Sequence, residues 1–280
     1  MIWKGSCFEG LEDGFAALFY LQDPLKAADI WCRCMCKGVE EFDRKIKERL
    51  SGLLADAKDT AKTAYMMALV RFLSMEFSRK DKRKALRIFA EHIRSGFFRK
   101  EHVICGILTL SEHSVLEGSF HLEALMRVIP CRWWNDEKLE KRLGLDEHPL
   151  LLLAKNLSFY DYGFMWNRAF EILREVLTSE RFLSALSSSR LLGNARVLGF
   201  VMEAVESMDD LDALKDIVEA ILKNPHIRGE FEVIEWALSV FEKANISSSD
   251  IAQILDPLKD EPSVAYHLEV IKSLQKELEK

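Results

Sequence analysis

Three cysteines, Cys32, Cys34 and Cys36, stand in a C-x-C-x-C run with Cys7 upstream. Thiolates are good ligands for zinc or iron–sulfur clusters. A helix of about 3.6 residues per turn puts Cys32 and Cys36 on one face and Cys34 nearly opposite. All three could meet one metal only if the helix unwound, and no Gly or Pro lies within the run to unwind it. The expected role of these thiols is small apolar filling of a packed helix, and neither a metal nor a cofactor is expected.

The histidines are His92, His102, His113, His121, His148, His226 and His267. The first three and His148 each follow a Glu directly, but adjacent helical residues do not face each other. There is no H-E-x-x-H, and no Glu precedes a His by three positions, so zinc-protease and di-iron patterns are absent. The acids Asp209, Asp210 and Asp212 open a helical stretch, where the macrodipole favours negative charge without a cation. The serine runs at 187–189 and 247–249 read as loops and caps, and no glycine-rich phosphate loop exists. No catalytic residue is assigned.

Charge and aromatic residues offer recognition rather than chemistry. Between residues 79 and 100 nine Lys or Arg face two acids, whereas residues 200–280 hold eight basic and eighteen acidic residues, in a chain of net charge −6. Arg79, Lys80, Lys82, Arg83, Lys84 and Arg87 are the candidates for contacting an acidic partner or a polyanion. The competing reading is a solvated helix start. Trp133, Trp134, Tyr160, Tyr162 and Trp166 are the aromatic interface candidates, since aromatics anchor interfaces. They serve equally well as core at the entry to a helix.

The elements that must carry these residues are helices throughout. Apolar residues recur at helical spacing along nearly the whole chain, and Pro and Gly are scarce. Punctuation places helices near 7–21, 24–37, 39–54, 57–77, 81–95, 99–110, 114–128, 136–143, 148–157, 161–178, 180–187, 189–206, 209–223, 229–244, 248–256 and 262–279. Asp23-Pro24 is a helix start, Ser6 with Glu9 and Ser114 with Glu117 have capping-box spacing, and Gly38, Gly96 and Gly144 sit where helices end. The run 64–70 is apolar on all sides and should be buried by several neighbours, while Gly193 and Gly199 should let another helix approach closely.

Short loops predict antiparallel hairpins. The pattern basic–Ala–x–x–Ile–large apolar recurs at 26–31, 84–89 and 168–173, without one fixed period. The expected fold is all-α, with hairpins stacked as an α-solenoid in one domain or array over 1–280. It resembles HEAT or tetratricopeptide arrays, although no unit carries either consensus. A compact multi-helix globule is the alternative. No leader is evident and no apolar run reaches the ~18 residues of a membrane span. With thiols scattered inside helical patterns, the expected location is cytoplasmic. Three Gln and six Asn beside abundant charge is a thermophile tendency.

The function expected is a protein–protein interaction scaffold, its partner another protein, with no catalytic chemistry of its own and no membrane association. The alternatives are a nucleic-acid-associated protein using residues 79–100, and an enzyme whose site is assembled from scattered residues.

Overall fold

A computed structural model of the chain describes residues 7–113, 120–157, 163–208, 210–227, 230–262 and 264–270. Among the described residues the fold is all-helical, with sixteen helices and no strand. They are α1 (Cys7–Phe19), α2 (Pro24–Met35), α3 (Val39–Ser51), α4 (Ala55–Ser74), α5 (Arg79–Arg94), α6 (Lys100–Glu112), α7 (Phe120–Val128), α8 (Glu137–Leu143), α9 (Pro149–Leu157), α10 (Gly163–Val176), α11 (Glu180–Ser188), α12 (Ala195–Glu206), α13 (Leu211–Leu222), α14 (Phe231–Lys243), α15 (Ser248–Leu255) and α16 (264–270). Among the described residues no helix is long and apolar enough to cross a membrane.

Side-chain caps set many of the boundaries. Asp23 accepts the Lys26 N–H at 2.8 Å ahead of Pro24, Ser78 accepts from Asp81, and Asp136 accepts from Leu139. Each satisfies one of the N–H groups that a helix start leaves without a partner. Gly144 ends α8 at φ +63, a left-handed turn that only Gly adopts without strain. The helix expected over 189–206 is broken in two. Ser189 caps a 3-10 turn at Arg190–Gly193, and Asn194 restarts the chain by accepting from Arg196 and Val197. The expected capping boxes at Ser6 and Ser114 lie outside the described residues.

The chain divides into two compact units. One is Met1–Leu145 with Asn156–Ala169, and the other is Asp146–Lys155 with Phe170–Lys280.

In the first unit α1 packs on α2, and from α2 onward the main contacts join helices two apart, with α4 and α5 also packed on each other. The even helices α2, α4, α6 and α8 form one row, and α3, α5 and α7 form a second, with α4 also touching α3, α5 and α7. Residues 64–70 in α4 are all buried, as their apolar character on every side requires. Two glycines allow the tightest contacts. A Cβ on Gly14 would fall 2.0 Å from Trp31 Nε1, and one on Gly106 would fall 1.9 Å from Met66 Cε. The close approaches expected at Gly193 and Gly199 are corrected: Gly199 faces open space, and Gly193 makes only ordinary contact with His226.

In the second unit α13 packs on α11 and α14. Its stripe of Leu214, Ile217, Val218, Ile221 and Leu222 is fully buried. Asn224 is buried with them. Its Nδ2 donates to Leu186 O and Ser189 O at 2.7 and 2.8 Å, and its Oδ1 accepts the His226 N–H. A buried amide with its polar atoms satisfied in this way ties the ends of α11 and α13 together.

Candidate functional site

The even row of the first unit carries a cleft of about 620 Å³, lined from α2, α4, α6 and α8. Its centre is Asp59 on α4 and His102 on α6. His102 Nδ1 accepts the backbone N–H of Arg99 at 3.0 Å, and its Nε2–H points to Asp59 Oδ1 at 3.3 Å. The ring is buried, and burial holds it below the ordinary histidine pKa. With both nitrogens engaged, His102 caps the start of α6 and is not poised as a general base.

Ion pairs lace the cleft from helix to helix. Arg99 pairs with Asp59, and Arg142 on α8 pairs with Glu101 on α6. Burial of Glu101 opposes its charge, but a backbone N–H and Arg142 outweigh it and hold the carboxyl below its usual range. Lys62 lies with Nζ 4.7 Å from the Phe97 ring centre. Desolvation pushes its pKa down; Asp59 opposes this, and Lys58 and Arg99 add to it. Burial pushes the pKa of the Cys105 thiol in the same cleft up, against a bond to Thr109, and so disfavours its thiolate.

A second Asp–His contact lies between the rows. Asp43 Oδ1 on α3 accepts from Tyr65 on α4 at 2.8 Å and meets His92 Nε2 on α5 at 2.7 Å. Phe97 and Phe98 close over the histidine at 4.4 and 4.9 Å between ring centres. Tyr65 and His92 are buried, so this group joins three helices instead of facing a substrate.

The cysteine run behaves as helical geometry dictates. Cys32 is buried with Sγ 3.4 Å from Met75 Sδ, while Cys34 turns toward α1, where its Sγ would lie 2.3 Å from a Cβ on Gly10. Cys36 is exposed at the end of α2. Burial pushes the Cys32 thiol up to about 12, so it stays protonated. Among the described residues no three His, Cys, Asp or Glu side chains gather as a metal ion requires. Asp210, Ser189 and Ser247 serve as helix caps.

The basic segment separates into two parts. Arg79, Lys80 and Arg83 are exposed at the start of α5 and have no ion-pair partner among the described residues, and Lys82 is half-buried beside them. Lys84 and Arg87 instead reach Glu40 on α3, and Lys100 pairs with Asp136. Of the aromatic candidates, Trp134 is fully buried. Trp133 is half-buried. Tyr160, Tyr162 and the Trp166 side chain lie outside the described residues.

Sequence reading missed the cleft. Its polar partners are about forty residues apart: Arg99–Asp59 at 40, Arg142–Glu101 at 41 and His102–Asp59 at 43. A search for charge complementarity at that offset is the signal that could have found them. Elsewhere the interval varies, from 22 for Tyr65–Asp43 and 30 for Trp236–Glu206 to 45 for Asn156–Ser111 and 49 for His92–Asp43. No protein-family model matches the chain, and no curated protein or solved structure matches it.

Proposed function

We propose that the chain is a protein–protein interaction scaffold whose surface is built from stacked two-helix units. The observation that supports this reading is the stacking of α2, α4, α6 and α8 in one row and α3, α5 and α7 in another, with three bonded pairs of the even row 40, 41 and 43 residues apart. HEAT-type repeats have a period of about 40–47 residues. Each such unit buries its apolar face only against its neighbours and leaves a long row of helix ends open for recognition. The step from this architecture to partner binding is an analogy of fold. The engaged ring nitrogens of His102 and the buried, protonated Cys32 thiol are consistent with a role without catalytic chemistry of its own.

The test is capture of partners by the full chain from cells of its source, in parallel with and without nuclease. Stoichiometric protein partners that persist after nuclease support the scaffold. Recovery of none rejects it.

A second reading is favoured by Arg79, Lys80 and Arg83, whose charges are not spent on neighbours. They could hold a polyanion such as nucleic acid. Replacing these three with Glu should then abolish binding to duplex or single-stranded probes at low salt. For duplex DNA, each phosphate deprived of its cation should lower the salt slope by about 0.9. Lys84 and Arg87 are poor targets, because reversing either sets a second acid beside Glu40.

A further inference from the structure

The second unit leaves a row of rings open to solvent. Phe231 at the start of α14 stacks on His267 of α16 with ring centres 5.3 Å apart, and Tyr266 stands edge-on to the same imidazole at 5.3 Å. Phe231 is 48% exposed, Tyr266 59%, and Val270, one turn beyond Tyr266, 40%. A single exposed apolar side chain is ordinary, but three gathered on two helices joined by a ring stack form a patch.

Carboxylates border that patch. Glu235 follows Phe231 by four residues and Glu269 follows Tyr266 by three, so each shares the helix face of its ring. Both are exposed, as is Glu232, and none of these three side chains has a hydrogen-bond or ion-pair partner among the described residues. In the cleft of the first unit, by contrast, each arginine already faces an acid. The macrodipole accounts for Glu232 in the first turn of α14. It does not account for Glu269, which lies beyond the first turn of α16. The surroundings supply few cations, since residues 200–280 hold eighteen acids against eight basic residues.

We propose that this face docks an arginine-bearing segment of a partner protein. A guanidinium is planar, stacks on aromatic rings and pairs with carboxylates through a fork of N–H donors. Phe231 and Tyr266 supply the rings, Glu235 and Glu269 the carboxylates, and Val270 an apolar contact for the stem of the side chain. The same acids repel nucleic acid and an anionic lipid surface. A cationic protein segment is the occupant that satisfies both the rings and the charge. The assignment rests on the scaffold reading and gives that scaffold the chemistry of its partner.

The experiment is fluorescence anisotropy of the full chain at low salt with three labelled synthetic peptides. One carries Arg among Leu and Gly; the second has Lys for every Arg, and the third Glu. The Arg peptide should bind about tenfold or more tightly than the Glu peptide, as complementary charge dictates. The Lys peptide should fall between them, because an ammonium lacks the planar fork. Tyr266→Ala should weaken the Arg peptide about tenfold, as loss of an aromatic anchor does. Glu235→Gln should weaken it about fivefold through loss of a rim charge. Asp13→Asn removes an exposed acid of the first unit and should leave binding unchanged. Circular dichroism checks that each variant stays helical, the expected result at exposed positions.

Equal binding of the Arg and Glu peptides, or no binding of the Arg peptide, overturns the docking face. So does insensitivity to Tyr266→Ala, or a loss from Asp13→Asn as large as that from Glu235→Gln, which would mean diffuse attraction to an acidic chain. Self-association abolished by Tyr266→Ala overturns it too, since a second copy would then cover the rings. A natural partner captured equally by wild type and Tyr266→Ala removes the docking face but leaves the scaffold standing. Absence of any captured partner removes the scaffold, whatever the peptides show.

Discussion

His92 Nε2 lies 2.7 Å from Asp43 Oδ1, and that one contact links α5 to α3 beneath a lid of phenylalanines. The same oxygen takes the Tyr65 hydroxyl from α4. Burial of Asp43 disfavours its charge, but the bonds from His92 and Tyr65 and the charge of Lys47 outweigh it and hold the carboxyl below its usual value. One carboxylate thus orders three helices of the first unit.

Asp43→Ala leaves a buried hydroxyl and a buried imidazole without their acceptor. The expected loss is about 2–4 kcal/mol in chemical denaturation. Tyr65→Phe alone should cost less, about 1 kcal/mol, because it removes the donor while Asp43 keeps His92 and Lys47. A double variant no worse than Asp43→Ala would show that the two bonds act as one unit. Full additivity would refute the shared network.

Acid should weaken the fold through its buried histidines. His148 caps α9 with its Nδ1 accepting the Leu150 N–H, and it stacks edge-on against Phe182. Burial and then the charge of Arg181 push its pKa down to about 3, and burial also lowers that of His102. A histidine depressed in the folded state takes up a proton more readily when unfolded. Its contribution is therefore complete above the ordinary value near 6.5 and drains away as pH falls toward about 3. For His148 the slope is about 1.4 kcal/mol per pH unit in that window. Urea titrations at a series of pH values measure it. His148→Asn keeps a cap acceptor and removes the titrating ring, so its curve should be flatter between about pH 6 and 4, by the proton linkage just given. An unchanged slope rejects the assignment.

Much of the fold was legible because helix formation is local. Periodicity and caps such as Asp23 and Gly144 act within a few residues of themselves, and their consequences can be read in order along the chain. The burial of residues 64–70 was equally plain, since a helix apolar on every side has nowhere else to go. The cleft was not legible, because Asp59, Arg99, Glu101 and Arg142 meet only after α4, α6 and α8 stack, some forty residues apart. Asn224 escaped notice for the same reason: its partners are carbonyls, which leave no mark in sequence. Gly199 shows the opposite error. A small residue permits a close approach but does not cause one, and there the structure places nothing within 4 Å.

The close approach that does occur predicts a sensitive position. Gly14 on α1 lies against the fully buried Trp31, whose Nε1 donates to Leu11 O at 3.0 Å. A Cβ at Gly14 would sit between 2.0 and 2.6 Å from three atoms of that rigid ring. Gly14→Ala gains helix propensity, about 1 kcal/mol. It forces the indole or the whole of α1 to move, at a cost of about 3 kcal/mol or more, and overpacking wins. Gly106→Ala meets the flexible tip of Met66 first, so its loss should be smaller. The ranking of the two midpoints in urea is the measurement. Gly14→Ala as stable as wild type would mean that α1 and α2 are not packed this way.

The cysteines offer the sharpest check on the start of the even row. Cys32 and Cys36 share a helix face, yet burial leaves Cys32 protonated with its pKa near 12 while Cys36 is exposed. Burial raises the Cys36 thiol too, partly offset by a backbone bond and Arg33, so its reaction should be slow at neutral pH. Thiolate is the reacting species, and access is the other requirement. Iodoacetamide on the native protein at about pH 8 should therefore modify Cys36 and spare Cys32 and Cys34, with sites assigned by peptide mass spectrometry. In denaturant all three should react. Cys34→Ser tests the same packing differently. Its thiol is a buried apolar filler against Gly10, so a hydroxyl in its place should cost about 1–2 kcal/mol. Chelators should not alter native labelling, because Cys34 turns to α1, away from its two neighbours in the run. Protection of Cys36 that disappears on chelation would mean that the three sulfurs converge on a metal, contrary to the packing of α2 between α1 and α4.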